Sequence, residues 1–191
     1  AIALLAGFIR AEIDQLVLDD IRVNAVPSVL AGAARFRATN PMFISELERI
    51  QDFVKHLQRE SSQIHAQTRR IQGTWLVCGR YVADMISSMP STMFQIENNG
   101  SNPPTGPHKM GKLMGRWDVY KNLAYDNSEY VMGAKGDSWL NAGYAWLPFI
   151  PVMVTDPYPI GNLEYERGVI TKNAQAMLNK GFFVKSSVIG L

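Results

Sequence analysis

Gly115-Arg116-Trp117-Asp118-Val119-Tyr120, then Glu129-Tyr130-Val131-Met132-Gly133-Ala134-Lys135-Gly136, then Ala142-Gly143-Tyr144-Ala145-Trp146-Leu147-Pro148-Phe149-Ile150-Pro151-Val152 decide how this chain is read. Two β-like runs flank a polar turn, Asp126-Asn127-Ser128, and the spacing predicts a hairpin or adjacent strands over 116–121 and 129–134. A Gly-Xaa-Xaa-Gly break follows at Gly133 and Gly136. The aromatic run after it carries Pro148 and Pro151, each without an amide proton and with φ fixed. Residues 144–152 are therefore extended, but not a central strand along their whole length. No nucleophile–base pair, metal-ligand cluster or phosphate loop lies here. The stretch reads as a sheet edge and a contact surface.

Working outward, the segment 43–70 is the most regular. Leu47, Ile50, Val54, Leu57, Ser61, Ile64 and Thr68 recur at alternating three and four residues, which predicts a helix of roughly 40 Å with one narrow apolar stripe. So narrow a stripe places the helix on the outside of something. Ser45 and Glu48 form a capping box at its start. A coiled-coil segment remains open, although Ser61 and Thr68 weaken the seam. Thr74–Cys78 reads as a buried strand, broken by Gly79. Val82, Met85, Ile86 and Met89 then make a short helix ending at Pro90. Helix, strand and helix in close succession indicate a sheet with helices packed on it, an α+β fold.

Toward the N-terminus, Ile2, Leu5, Ile9, Ile13, Leu16, Val17 and Ile21 follow amphipathic spacing over about 1–25. Pro27, Gly32 and Thr39-Asn40-Pro41 break this helix, so 26–41 reads as a connector. Arg35 and Arg37 within it pair with a neighbour or are simply solvated. The polar loop from Asn98 through Pro107 is rich in Gly, Pro and Asn, and His108 follows among the prolines; loops this long are usually functional or disordered. Beyond the boundary at Pro157 and Pro159, Leu163, Tyr165, Arg167 and Val169 alternate with polar residues as a half-buried strand. Residues 172–180 read as a short helix ending at Gly181, and 182–189 as a further strand.

The 191 residues are enough to bury roughly 70% of the unfolded surface in one core. The balance of 19 basic and 17 acidic residues does not supply the clustered positive face that tight non-specific DNA binding needs. A single cysteine, Cys78, excludes an intramolecular disulfide and fits a reducing compartment. No apolar run reaches the ~18–20 residues that span a bilayer. Residues 1–9 lack the preceding basic region of a signal peptide. The chain starts without Met, inside a helical pattern, and is expected to be part of a longer or processed polypeptide.

Catalytic and metal chemistry find no foothold. His56 and His65 are nine residues apart, roughly 900° of helical rotation, and so lie on opposite faces. Cys78 sits in an apolar strand, where a thiol is inert. Asp118, Asp126 and Glu129 read as turn acceptors rather than paired acids. Gly133-Ala134-Lys135-Gly136 lacks phosphate-loop spacing. No catalytic, cofactor or metal residue is assigned.

The order W-x-V-Y, Y-V-x-G-x-K-G, A-G-Y-x-x-x-P-F-x-P resembles the C-terminal half of major capsid proteins of T-even-like tailed phages, which have the Hong Kong 97-like capsid fold. Glu12-Ile13-Asp14 in the early helix, Arg59-Glu60-Ser61-Ser62-Gln63-Ile64, Thr68-Arg69-Arg70 and Gly73-Thr74-Trp75-Leu76-Val77 extend the resemblance over most of the chain. Ile71-Gln72, Asn122 and the segment after Arg167 depart from it.

The resemblance implies a peripheral domain with a spine helix at 1–26, a connector at 27–41, an axial domain at 42–155 and a return to the peripheral domain at 156–191, beside the first helix. It implies a self-assembling subunit of an icosahedral head, located in the virion and assembled in the host cytoplasm. The partners implied are copies of itself in pentamers and hexamers, other capsid, portal or decoration proteins, and packaged double-stranded DNA, weakly, on the inner face; no membrane. The loop would approach the capsomer centre.

Candidate subunit-interface residues are Arg69, Arg70, Asn99, Pro103, His108, Lys109, Lys112, Arg116, Trp139, Tyr144, Trp146 and Phe149. For the basic members, pairing with a neighbour, contact with DNA and plain solvation all remain open. Aromatics with Met and Arg fit a buried interface centre. A nanocompartment shell enclosing a cargo enzyme uses the same fold, and a small hydrolase is the alternative of another class.

Overall fold

The computed structural model describes residues 2–29, 36–38, 45–97, 106–138, 141–161 and 164–190. Helix α1 (Ile2–Asn24) leads into a two-residue strand β1 (Val26–Pro27), and α2 (Glu46–Thr68) follows. The capping box is present as expected: the Glu48 amide donates to Ser45 Oγ, and the Ser45 amide donates to Glu48 Oε2. Arg69 ends α2 in the left-handed region, at φ 54°.

Then come β2 (Trp75–Cys78), α3 (Arg80–Ser87), β3 (Phe94–Ile96), β4 (His108–Leu113), β5 (Trp117–Lys121) and β6 (Glu129–Gly133). The chain continues through β7 (Tyr144–Val154), β8 (Tyr158–Ile160), β9 (Glu164–Glu166), β10 (Val169–Met177) and β11 (Phe183–Ser187).

Among the described residues the main sheet has seven strands in the order β1-β11-β6-β2-β5-β4-β3. The β1–β11 and β2–β5 pairs are parallel and the others antiparallel. Side chains alternate across this sheet. Leu76 stands beside Met132 and Val119 in register, and these face α2 and α3. Trp75, Val77 and Tyr120 turn to the opposite face, where α1 lies. The result is three layers, with Phe53, Leu57, Ile64, Trp117, Tyr130 and Met132 fully or almost fully buried.

Gly133 is required by this packing: a Cβ there would stand 2.1 Å from the Trp75 ring. Between β4 and β5, which are joined by three residues, Met114 and Gly115 both take positive φ and Arg116 N–H donates to Leu113 O, a turn of the I′ kind.

Several expectations are corrected. Runs 117–121 and 129–133 are neither a hairpin nor adjacent, because β2 lies between them in the sheet. The α2 face is broader than one stripe: Phe53, His56, Glu60 and Gln63 are buried beside Leu57, Ser61 and Ile64, while Leu47 is exposed. Polar side chains hid this second row from a purely apolar reading.

His108 opens β4 opposite Lys121 instead of standing in a loop. The loop residues 98–105, with Asn99 and Pro103, lie outside the described residues. Part of the connector is structured: Val26 and Pro27 pair with Val184 and Lys185 of β11, and Arg37 bridges Ile189. Arg35 lies outside the described residues.

The expected helix at 172–180 is instead the second half of β10, paired with β7 through Met177 opposite Tyr144. Asn179 caps only a single 3₁₀ turn, Lys180–Phe182. Nor do the described residues 164–169 form one half-buried strand: β9 is short, and Tyr165 is 71% exposed; Leu163 lies outside the described residues. β11 forms within 182–189 as expected, but it enters the main sheet between β1 and β6.

Candidate functional site

The expected sheet edge at 144–152 is present as β7, whose strand partner is β10. Pro148 stands opposite Asn173, and the ladder is irregular around Lys172, in the stretch where Pro151 falls. This is how a strand accommodates residues that donate nothing. Along β7, Leu147, Phe149 and Met153 share one face, and all are exposed, Phe149 at 75%. Lys172 Nζ lies 5.3 Å from the centre of the Phe149 ring, the ribbon's cation–π contact. Trp139 lies outside the described residues.

Other aromatics turn inward. Trp146 lines a cleft of about 500 Å³ between α1 and the main sheet, together with Ile13, Val17, Ile21, Trp75 and Tyr120. Asp14 and Lys135 are its charged walls, and burial raises the Asp14 pKa. The Tyr144 hydroxyl is set against Asp20 of α1; burial first, then this carboxylate, push its pKa well up. Tyr144 and Trp146 thus hold the ribbon to α1, whereas Phe149 points away.

The basic candidates do not form one cluster. Lys109 Nζ lies 2.7 Å from Glu97 Oε2 and 3.2 Å from Asp118 Oδ1, and Lys112 Nζ is 3.9 Å from the same Asp118 oxygen. Lys121 pairs with Asp84 at 2.7 Å. Arg116 donates to Gln58 and Gln72 and lies over the Trp117 ring. Arg70 donates to Asn141 at 3.3 Å. Arg69 is exposed at the C-terminus of α2, where a cation complements the helix dipole. His108 Nδ1 is 3.3 Å from Gly106 O. Lys109, Lys112 and Lys121 are thus paired with carboxylates, whereas Arg70 and Arg116 hold neutral amides and keep their charge.

Two surfaces escaped sequence reasoning. Near the start of α1, Leu4 and Phe8, one turn apart, are exposed with Leu5, and Leu16 is exposed further along the helix. The stripe was legible, but not that Leu5 and Leu16 within it, and Leu4 and Phe8 beside it, stay exposed among the described residues. Arg22 was also missed. It reaches Asp126 and Glu129 and lies over the Tyr125 ring, contacts for which no local motif exists.

Cys78 is buried, and desolvation pushes its thiol up to about 12, as expected for a core cysteine. His56 is buried, and burial lowers its pKa, while His65 is exposed on the other side of α2. Among the described residues, no group of three or more His, Cys, Asp or Glu is placed to hold a metal ion. No helix there is long and apolar enough to cross a membrane.

A family model described as "Major capsid protein Gp23" matches residues 2–187. A phage-related protein from Bordetella bronchiseptica RB50, solved as a crystal structure, aligns with a TM-score of 0.53 at 11% identity. The alignment covers 88% of this chain and 60% of that one, so the chain spans about 60% of that structure's length. A putative prophage capsid protein of E. coli CFT073 aligns with a TM-score of 0.41 at 9% identity, over 88% of this chain and 53% of that one. No curated protein sequence matches the chain.

Proposed function

Because the chain belongs to the Gp23 major capsid protein family, a family of structural subunits, we propose that its β7–β10 ribbon and the outer face of α1 are the contacts through which copies close an icosahedral head. The observation that carries this is the uncovered apolar surface on these two elements. Leu147, Phe149 and Met153 on the ribbon, with Leu4 and Phe8 on α1, are large hydrophobics left in water by the isolated subunit. Large apolar side chains left exposed on one element in this number mark association.

In this reading the fold is the Hong Kong 97-like one. The seven-stranded sheet with α2 and α3 is the axial domain. Helix α1 and the β7–β10 ribbon are the peripheral domain, which moves the sequence-based boundary at 155 back to the start of β7. The partners are copies of the chain in pentamers and hexamers, with other head proteins beside them, and the setting is the virion. Double-stranded DNA inside touches the shell weakly, in keeping with the compensated lysines. The subunit works by repeated modest interfaces that become jointly strong on closure, and no residue performs covalent chemistry.

The test is sedimentation of the full-length protein carrying Leu147→Glu together with Phe149→Glu. Both side chains point to solvent in the subunit, so the fold is expected to persist while large particles are lost. Particles forming as in the unaltered protein would overturn the assignment of this face.

A further inference from the structure

Charge is segregated along this chain. Residues 61–83 hold Arg69, Arg70 and Arg80 and no acid, and residues 106–117 hold Lys109, Lys112 and Arg116 and no acid. The fold brings Arg116 to the flank of α2 that ends in Arg69. Gln58, Ser62, His65 and Arg69 recur at four, three and four residues, and so share that flank. Arg116, in the β4–β5 turn, donates to Gln58 at 2.9 Å and to Gln72 beyond the helix end, with its guanidinium over the Trp117 ring. Its fork is therefore fixed before any partner arrives. Both arginines are exposed, and neither belongs to an ion pair among the described residues.

The segment that joins β7 to β10 has the opposite sign. Residues 156–166 hold Asp156, Glu164 and Glu166 and no Lys or Arg, and Arg167 after them still leaves the segment net negative. Thr155 N–H donates to Gly168 O, and Gly168 N–H donates to Thr155 Oγ1, so this tip is tied to the ribbon. Within it Tyr158 stands opposite Glu166, and its hydroxyl donates to Glu166 Oε2 at 3.2 Å. Asp156 and Glu166 are exposed and unmatched by any cation among the described residues. Tyr158 and Tyr165 are exposed beside them. Tyrosine and arginine are the residue types that protein–protein interfaces favour.

We propose that the ribbon tip of one copy seats on the α2 flank of a second copy, with Asp156 and Glu166 against Arg69 and Arg116. Arginine forks take carboxylates through paired hydrogen bonds, and the two exposed tyrosines cover the contact. The inference rests on the reading of the chain as a self-assembling subunit, and adds a polar joint to the apolar one. Two different patches meet, so the contact runs head to tail from copy to copy, as a ring requires. A DNA duplex, with one charge per about 1.7 Å of axis, calls for a longer row of cations. Lys109 and Lys112 are already held by carboxylates.

Sedimentation of the full-length protein with charges reversed tests this. One variant carries Asp156→Arg with Glu166→Arg, a second carries Arg69→Glu with Arg116→Glu, and a third carries all four. All four side chains are exposed, and the denaturation midpoint checks that each variant is folded. Each reversal alone is expected to lower the particle yield at least about tenfold, and the fourfold variant to regain it. Glu166→Cys with Arg116→Cys gives a second readout, since buried Cys78 does not compete. Oxidation should then yield a ladder of covalent multimers that neither single cysteine variant gives. Particles from the unaltered protein and equally from both reversals overturn this contact and leave the shell reading standing. So does a missing ladder, a folded fourfold variant that stays dispersed, or an Arg69→Glu, Arg116→Glu variant that keeps its particles and loses only DNA. No particles from the unaltered protein overturn the shell reading and this contact with it.

Discussion

Arg22 Nε donates to Glu129 Oε2 at 2.7 Å, joining the last turn of α1 to the first residue of β6 across 107 positions of sequence. The same guanidinium reaches Asp126 at 3.0 Å, while the Tyr125 hydroxyl donates to Leu18 O. These contacts anchor the C-terminal end of α1, where Ile21, and Ala25 just past the helix, are also buried. Arg22→Met keeps the stem and removes the fork. It is expected to cost about 1–2 kcal/mol, because the pair is partly shielded from solvent. A double-mutant cycle with Glu129→Gln, read by chemical denaturation, should recover most of that cost as coupling.

At the β4–β5 turn, Met114 sits at φ 53°, a region in which a side chain with a Cβ is strained. Met114→Asn is expected to stabilise the protein by about 0.5–1 kcal/mol. A higher denaturation midpoint with an unchanged slope would show it. Arg69→Gly at the end of α2 should act the same way, since Arg69 is also left-handed.

Gly133 allows β6 to pass directly beneath the Trp75 ring. Gly133→Val puts a branched side chain where no atom fits, in the centre of the sheet. The expected loss is about 3 kcal/mol or more, seen as a large fall in melting temperature or in soluble yield.

Cys78 is the protein's single thiol, with no exposed surface and a pKa raised by burial to about 12. A thiol reagent at pH 8 should therefore leave the native protein unlabelled and react at once in denaturant. Labelling of the native state at the unfolded rate would mean that β2 opens readily.

Elements with a local signature were legible in the sequence. The Ser45–Glu48 capping box marked the start of α2, the apolar run 75–78 marked β2, and the paired prolines marked β7 as an edge. What depends on distant partners was not. Nothing between Trp117 and Gly133 states that β2 inserts between the two strands, since that order is fixed by packing on α2 and α3. Met114 concealed the β4–β5 turn because it stands where Asn, Asp or Gly usually signals one. Lys172–Met177 has the composition of a helix, and pairing with β7 overrides it.

Among the interface candidates, Tyr144 and Trp146 proved to face α1, and the lysines proved to be paired along β4. Phe149 is left facing outward. The buried Glu60 sat in a heptad-like helix as an apparent surface residue.

The central claim is that copies of this chain build a closed shell through the β7–β10 ribbon and α1. The most direct test is cryo-electron microscopy of the native full-length protein after a sizing step. The account predicts closed shells, or rings of five or six subunits, with Phe149 and Leu147 buried between neighbours. A stable monomer or dimer under assembly-favouring salt, with both side chains in water, would contradict it.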